Sequence, residues 1–166
     1  MVIGNRGSSD SEQPDASAAD KGAASTAPSD AGSAEQASPK VRFSGTVRVE
    51  LPNGGENVDL DSTPPLVSGP DIKGVDVYVG ATSGSPTLTT EGSELTLAPL
   101  PGSGPAPSEA ECADAVEKNG AYAAELTRGS RFCAQTMEGR TAYLRTVSAP
   151  TAGPVRIAAT VWELPS

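Results

Sequence analysis

The stretch VRFSGTVRVEL (41–51) alternates without a break. Val41, Phe43, Gly45, Val47, Val49 and Leu51 fall on one side, and Arg42, Ser44, Thr46, Arg48 and Glu50 on the other. Period two over this length predicts a half-buried β-strand with one face in a core and one in water. Gly45 is the place to expect a bulge or bend. Pro52-Asn53-Gly54-Gly55 then predicts a turn.

The chain after this strand keeps the same character. Val58-Asp59-Leu60-Asp61 reads as a short strand stopped by Pro64-Pro65. Between Lys73 and Val79 the alternation puts Val75, Val77 and Val79 inside and Asp76 and Tyr78 outside, with Gly80 to Pro86 as loop. Short strands follow around Leu88 and around Leu95-Thr96-Leu97, and 99–107 (PLPGSGPAP) reads as an irregular connection. Ser108 to Lys118 is the one helical candidate. Ser108 and Glu111 have capping-box spacing, Ala110, Ala113, Ala115 and Val116 offer a small apolar stripe, and Asn119-Gly120 ends it. Arg131–Thr136 and Arg140–Val147 around Glu138-Gly139 read as a hairpin, and Val155–Trp162 as a final strand. The expectation is an all-β, antiparallel, sandwich-like or barrel-like domain of about eight strands with one short helix. No segment repeats in the way a solenoid or propeller requires.

Residues 1–40 are different. From 4 to 40 alanine is the only hydrophobic residue, among Gly, Ser, Pro, Asp and Glu. Such a run buries too little surface to offset its ordering entropy, so a disordered acidic linker is expected over 1–40, with a single domain over 41–166. Met1-Val2-Ile3 is too short for a signal-peptide core or a membrane span. It reads either as an ordinary tail or as the trailing edge of a membrane helix lying upstream.

Charge and composition exclude several functions. The formal charge is −9, carried by an acidic middle and a basic end: 41–117 has twelve acids against three bases, and 118–166 six bases against three acids. An acidic chain is poorly suited to nucleic acid or an anionic membrane, where affinity comes from neutralising phosphates. The basic end either pairs with the acidic middle across the fold or forms a local patch. There is no histidine, which removes Ser-His-Asp and Cys-His catalysis and His-ligated zinc. No G-x-S-x-G, P-loop or dinucleotide fingerprint is present. No cofactor and no metal are expected, and the chain reads as a non-enzyme. Cys112 and Cys133 are an even pair in a small Gly/Pro-rich β domain, which predicts a disulfide and an oxidising, extracytoplasmic compartment. Two buried reduced thiols are the other reading.

Each candidate site has two readings. Asp59 and Asp61, at i and i+2 on a strand face, are either a calcium or acid–base pair, or a solvated face with Asp61 capping the next turn. Arg131, Arg140 and Arg145 either form an anion-binding patch or pair with the acidic half. Tyr78, Tyr143 and Trp162 either line a carbohydrate or peptide groove or pack in the core and at its edges. Trp162, opposite in phase to Val161, is a second-face core residue or a surface aromatic.

The stretch GSRFCAQTMEGRTAYLRTV (129–147), TVWE (160–163), VDLDS (58–62) and Cys112 together resemble a group of actinobacterial domains. These are C-terminal extracytoplasmic modules that follow a membrane helix and a low-complexity linker, often on serine/threonine kinases or helix-turn-helix regulators. The likeness covers roughly 55–166 and carries over no catalytic residue. It implies a membrane-anchored sensing or binding module for a cell-wall component, a small molecule or a protein, with a membrane helix and a cytoplasmic domain upstream. A structural role, in which the acidic middle of one copy meets the basic end of the next, is the rival expectation.

Overall fold

The computed structural model describes residues 38–51, 54–69, 74–81, 84–91, 94 and 96–166. The expected disordered linker therefore lies, but for its last three residues, outside the described residues. The strands are β1 (Val41–Val49), β2 (Gly55–Asp59), β3 (Leu66–Ser68), β4 (Val77–Gly80), β5 (Thr87–Thr90), β6 (Leu97–Leu100), β7 (Ala123–Glu125), β8 (Arg131–Gln135), β9 (Thr141–Ser148) and β10 (Val155–Trp162), and the helix α1 spans Glu109–Asn119. They form two five-stranded antiparallel sheets. Sheet A has the order β1-β10-β9-β8-β6 and sheet B the order β3-β2-β4-β5-β7.

The two sheets share one core. Val47, Val49, Phe132, Leu144, Val155, Ile157 and Val161 enter it from sheet A, and Val58, Val77, Val79 and Leu88 from sheet B. The alternation read in the sequence is the cause: β1 buries Val47 and Val49 and leaves Thr46 and Arg48 exposed, and β10 buries Val155, Ile157, Ala159 and Val161. This all-β sandwich with one helix is the expected fold class. A second, smaller core lies on the outer face of sheet A. There Cys112 and Val116 of α1 pack on Ala98, Cys133 and Trp162.

Several local expectations are corrected. The irregularity in β1 falls between Val41 and Phe43, not at Gly45. Gly45 is instead the floor under the Phe43 ring, where a Cβ would stand 2.8 Å from Cζ. The run 99–107 is not wholly irregular, because β6 carries on through Pro99; it is an edge strand, so the missing N–H breaks no ladder bond on both sides. Strands β3 and β7, of three residues each, are too short to show a period. On α1 the buried residues are Cys112 and Val116, while Ala110 and Ala113 are exposed. A cysteine, omitted from the apolar stripe, turns the helix by most of a quarter-turn. Asp76 lies before β4 rather than on its wet face, and it is buried.

Candidate functional site

The hairpin tip between β8 and β9 is where most of the singled-out charges meet. Beyond the end of β2 the chain bends, and Asp59 closes the bend. Its Oδ1 accepts from the backbone N–H groups of Asp61 (2.8 Å) and Ser62 (3.0 Å), and its Oδ2 accepts from the Ser62 hydroxyl (2.6 Å). Side-chain bonding of this kind to residues two and three ahead is the usual work of an aspartate in a turn. Asp61 is thereby aimed across to sheet A. Its Oδ1 accepts from the Thr136 hydroxyl (2.7 Å) and the Arg140 guanidinium (2.8 Å), and its Oδ2 from the Glu138 N–H (3.0 Å). So Asp59 caps and Asp61 reaches, the reverse of the expected roles, and Asp61 is past the strand rather than on its face.

Asp76 completes the cluster. It is 4% exposed, and it accepts from the N–H groups of Leu60 (2.6 Å), Met137 (2.7 Å) and Asp61 (3.3 Å). Burial pushes its carboxyl up to about 6, against the pull of the Met137 and Leu60 N–H groups and with the help of the Asp61 and Asp59 charges. One oxygen from each of Asp59, Asp61 and Asp76 lies within 4.8 Å of the others. All six carboxylate oxygens already accept a hydrogen bond from the protein. A cation there would share oxygens already engaged by protein donors and sit beside the Arg140 guanidinium, and the hydrogen bonds that run from one sheet to the other make the geometry that of a clasp between the sheets.

Arg140 is the counter-charge. Its side chain is 11% exposed and contacts Asp61 and Glu138, with Glu163 at 3.8 Å from Nε. Hydrogen bonds to Glu138 and then Asp61 hold its guanidinium well above the ordinary value. Arg42 approaches Glu163 at 3.4 Å and donates to the Asp61 carbonyl at 3.3 Å. Asp61 of VDLDS, Arg140 of the Glu-Gly-Arg turn and Glu163 of TVWE thus belong to one network. Asp76 was missed because the alternation in 73–79 assigned it to water; only Leu60 and Met137, distant in sequence, explain its burial.

The other candidates separate. Arg131 and Arg145 are cross-strand partners, but Arg131 is buried. It donates to the Tyr143 hydroxyl (2.9 Å) and to the carbonyls of Pro101 (3.2 Å) and Pro105. It therefore straps down the loop that leads into α1, and neither it nor Arg140 presents a free guanidinium to an anion. Trp162 is buried in the second core, and Tyr143 is half-buried against it. Of the two readings for each group, pairing and packing hold: Arg131 lies under the loop that leads into α1, Arg140 pairs with Asp61 and Glu138, and Tyr143 and Trp162 pack under α1, while Arg145 stays exposed, so neither the three-arginine patch nor the aromatic groove is formed.

The cysteines form the bridge Cys112–Cys133, both sulfur-bearing residues fully buried. It joins α1 to β8. Ser108 caps the helix with Glu111 in a reciprocal capping box. Between the flank of α1 and the β8–β9 edge runs an open groove of about 560 Å³. Its walls are mixed: Ala113, Val116 and Ala134 are apolar, and Glu117, Lys118, Gln135 and Thr141 are polar. No family model, curated protein or solved structure matches the chain.

Proposed function

We propose that the chain is a non-catalytic, extracytoplasmic binding module held to a membrane through its linker, and that its ligand lies in the groove beside α1. The observation that carries this reading is the groove itself. It is concave, it sets a few polar side chains that can fix a ligand's orientation beside apolar ones, and the disulfide fixes one of its walls to the sheet beneath. A wall that does not move on binding lowers the ordering cost of capture. The assignment of ionisable groups supports a non-catalytic role. Asp59, Asp61, Asp76, Arg131 and Arg140 are each engaged by partners inside the fold, which leaves none of them poised as a base or an electrophile. The disulfide is compatible with an oxidising compartment. The resemblance of 58–62, 129–147 and 160–163 to actinobacterial modules supports a membrane anchor upstream and a ligand from the cell envelope. Glu117 and Lys118 at one end of the groove suit a zwitterionic or amide-bearing compound, such as a short wall peptide or a cell-wall fragment.

The experiment is a thermal-shift panel of wall-peptide fragments, N-acetylated disaccharides and free amino acids, followed by amide chemical-shift mapping. The expected result is a compound that raises the melting temperature and perturbs Ala113, Glu117, Lys118 and Gln135. A panel without a shift, or perturbations confined to sheet B, overturns the assignment. The location is read separately, by alkylating the denatured protein from its native host without reduction. Uptake of two alkyl groups counts against an oxidising compartment.

A further inference from the structure

Three exposed arginines stand together on one face of sheet A. On the outer face of sheet A, Arg48 of β1 is the direct cross-strand partner of Arg156 of β10, and Arg145 of β9 is the partner of Ala158, two residues further along β10. All three are exposed. Arg48 pairs with Glu50 at 2.7 Å; Arg145 and Arg156 enter no ion pair among the described residues. Like charges placed directly opposite each other across two strands destabilise a sheet. The arrangement therefore favours a neighbour that brings negative charge.

That charge is present on the same face. The outward residues of β8, β9 and β10 include Cys133, Tyr143 and Trp162 at one end, under α1, and Arg145 and Arg156 at the other, uncovered; Arg131, beside Arg145 on β8, lies under the loop that leads into α1. The helix carries Glu109, Glu111, Asp114 and Glu117 against Lys118 alone. One end of the face is therefore raised by a helix about 10–12 Å thick and acidic. The other end is low, floored by Thr46 and Ala158, and basic.

We propose that this face is a self-association surface. Two copies meet about a two-fold axis, each seating its α1 on the bare, arginine-bearing end of the other. A surface that is raised and acidic at one end and low and basic at the other is complementary to itself under such a rotation, which is the requirement for an isologous contact. The occupant is a second copy rather than a free polyanion, because the acid and the shape that presents it both lie on this face. The chain's overall charge of −9 disfavours a polyanion approaching from afar. Of the residues varied below, Glu117 alone also lines the ligand groove, which opens on the flank of α1 toward Gln135 and Thr141, and self-association is read without ligand.

The test is sedimentation equilibrium of the full chain, with its disulfide intact, across a salt series. The expected result is a dimer at low ionic strength that dissociates by about 0.5 M salt, where screening reaches contact distances. Arg145→Glu/Arg156→Glu and Asp114→Lys/Glu117→Lys should each weaken self-association at least about tenfold, with far-UV spectra and melting transitions like the wild type. Mixed one to one, the two variants should form a heterodimer, since each then meets opposite charge at both contacts. A wild type that is monomeric at all salt concentrations overturns the proposal. So do charge-reversed variants that dimerise like the wild type, or a mixture that stays monomeric. A monomer that binds linear polyphosphate through the three arginines overturns the second-copy assignment in favour of a polyanion ligand.

Discussion

Sheet A is fastened at two places by opposite means. On its outer face, α1 is held by Cys112–Cys133 and by the packing of Val116 against Ala98 and Trp162. At the β8–β9 tip it is held to sheet B by Asp61, Asp76, Arg140, Thr136 and backbone N–H groups. The first fastening is chiefly covalent and apolar, so each member contributes whether or not the others are present. The second consists of charges taken out of water, where each carboxylate is tolerable only while its donors remain. The helix side should therefore fail in part and the clasp side altogether.

The largest break is at the clasp. Asp61→Ala leaves the Arg140 guanidinium, the Thr136 hydroxyl and the Glu138 N–H without their acceptor, and removing one partner of a buried pair costs about 3–5 kcal/mol. Urea unfolding should show this as a lower midpoint with an unchanged slope, and a loss under about 1 kcal/mol would class the pair with ordinary surface ion pairs. The pH dependence sharpens the same side. The folded value of Asp76, about 6, lies above the ordinary 3.8, so the folded chain takes up this proton first on acidification. The stability so contributed is fully present below 3.8 and is lost as pH rises through about 6. The rise bounds the effect at about 3 kcal/mol. Wild type should lose stability relative to Asp76→Asn between about pH 4 and pH 7; parallel curves would put the Asp76 titration at its ordinary value.

On the helix side, reduction removes a bridge that spans 21 residues. In the chain-entropy model this contributes about 3 kcal/mol. The expected outcome is local. An 11-residue helix that buries only Cys112 and Val116 is too short to persist alone in water. Its amides should lose exchange protection, and the emission of Trp162, the only tryptophan, should shift to the red while the amides of β1, β9 and β10 stay protected. Global unfolding on reduction would mean that both fastenings act as one unit. The smallest effect is at the cap. Ser108→Ala should cost about 1 kcal/mol and loosen α1 without altering the clasp; a change in the Asp76 titration would show the two sides to be coupled.

How much of this was legible follows the same division. The strands of sheet A were long enough to display period two, so β1, β8, β9 and β10 were read from 41–51, 131–147 and 155–162. Sheet B was read poorly, because β3 and β7 have three residues each, too few for a period to emerge. The cysteine pair was legible by count, though not the burial of Trp162 beneath the helix that it holds. Of the clasp, Asp59, Asp61 and Arg140 were picked out as charged residues at turns, without their partners. Asp76 was misassigned because burial there is set by Leu60 and Met137, which no local pattern connects.

The sequence by itself determined the fold class, the compartment-compatible cysteine pair, the absence of imidazole chemistry, and the division between an acidic middle and a basic end. These follow from alternation and composition, which are properties of neighbours along the chain. The tertiary structure alone decided which charges are spent and which are free. Arg131 and Arg140 were drawn inward, and Arg48, Arg145 and Arg156 were aligned on one exposed face. Whether a charge faces a partner or water depends on strand register and on which end of the sheet a single helix covers, and both arise from contacts between residues far apart in sequence.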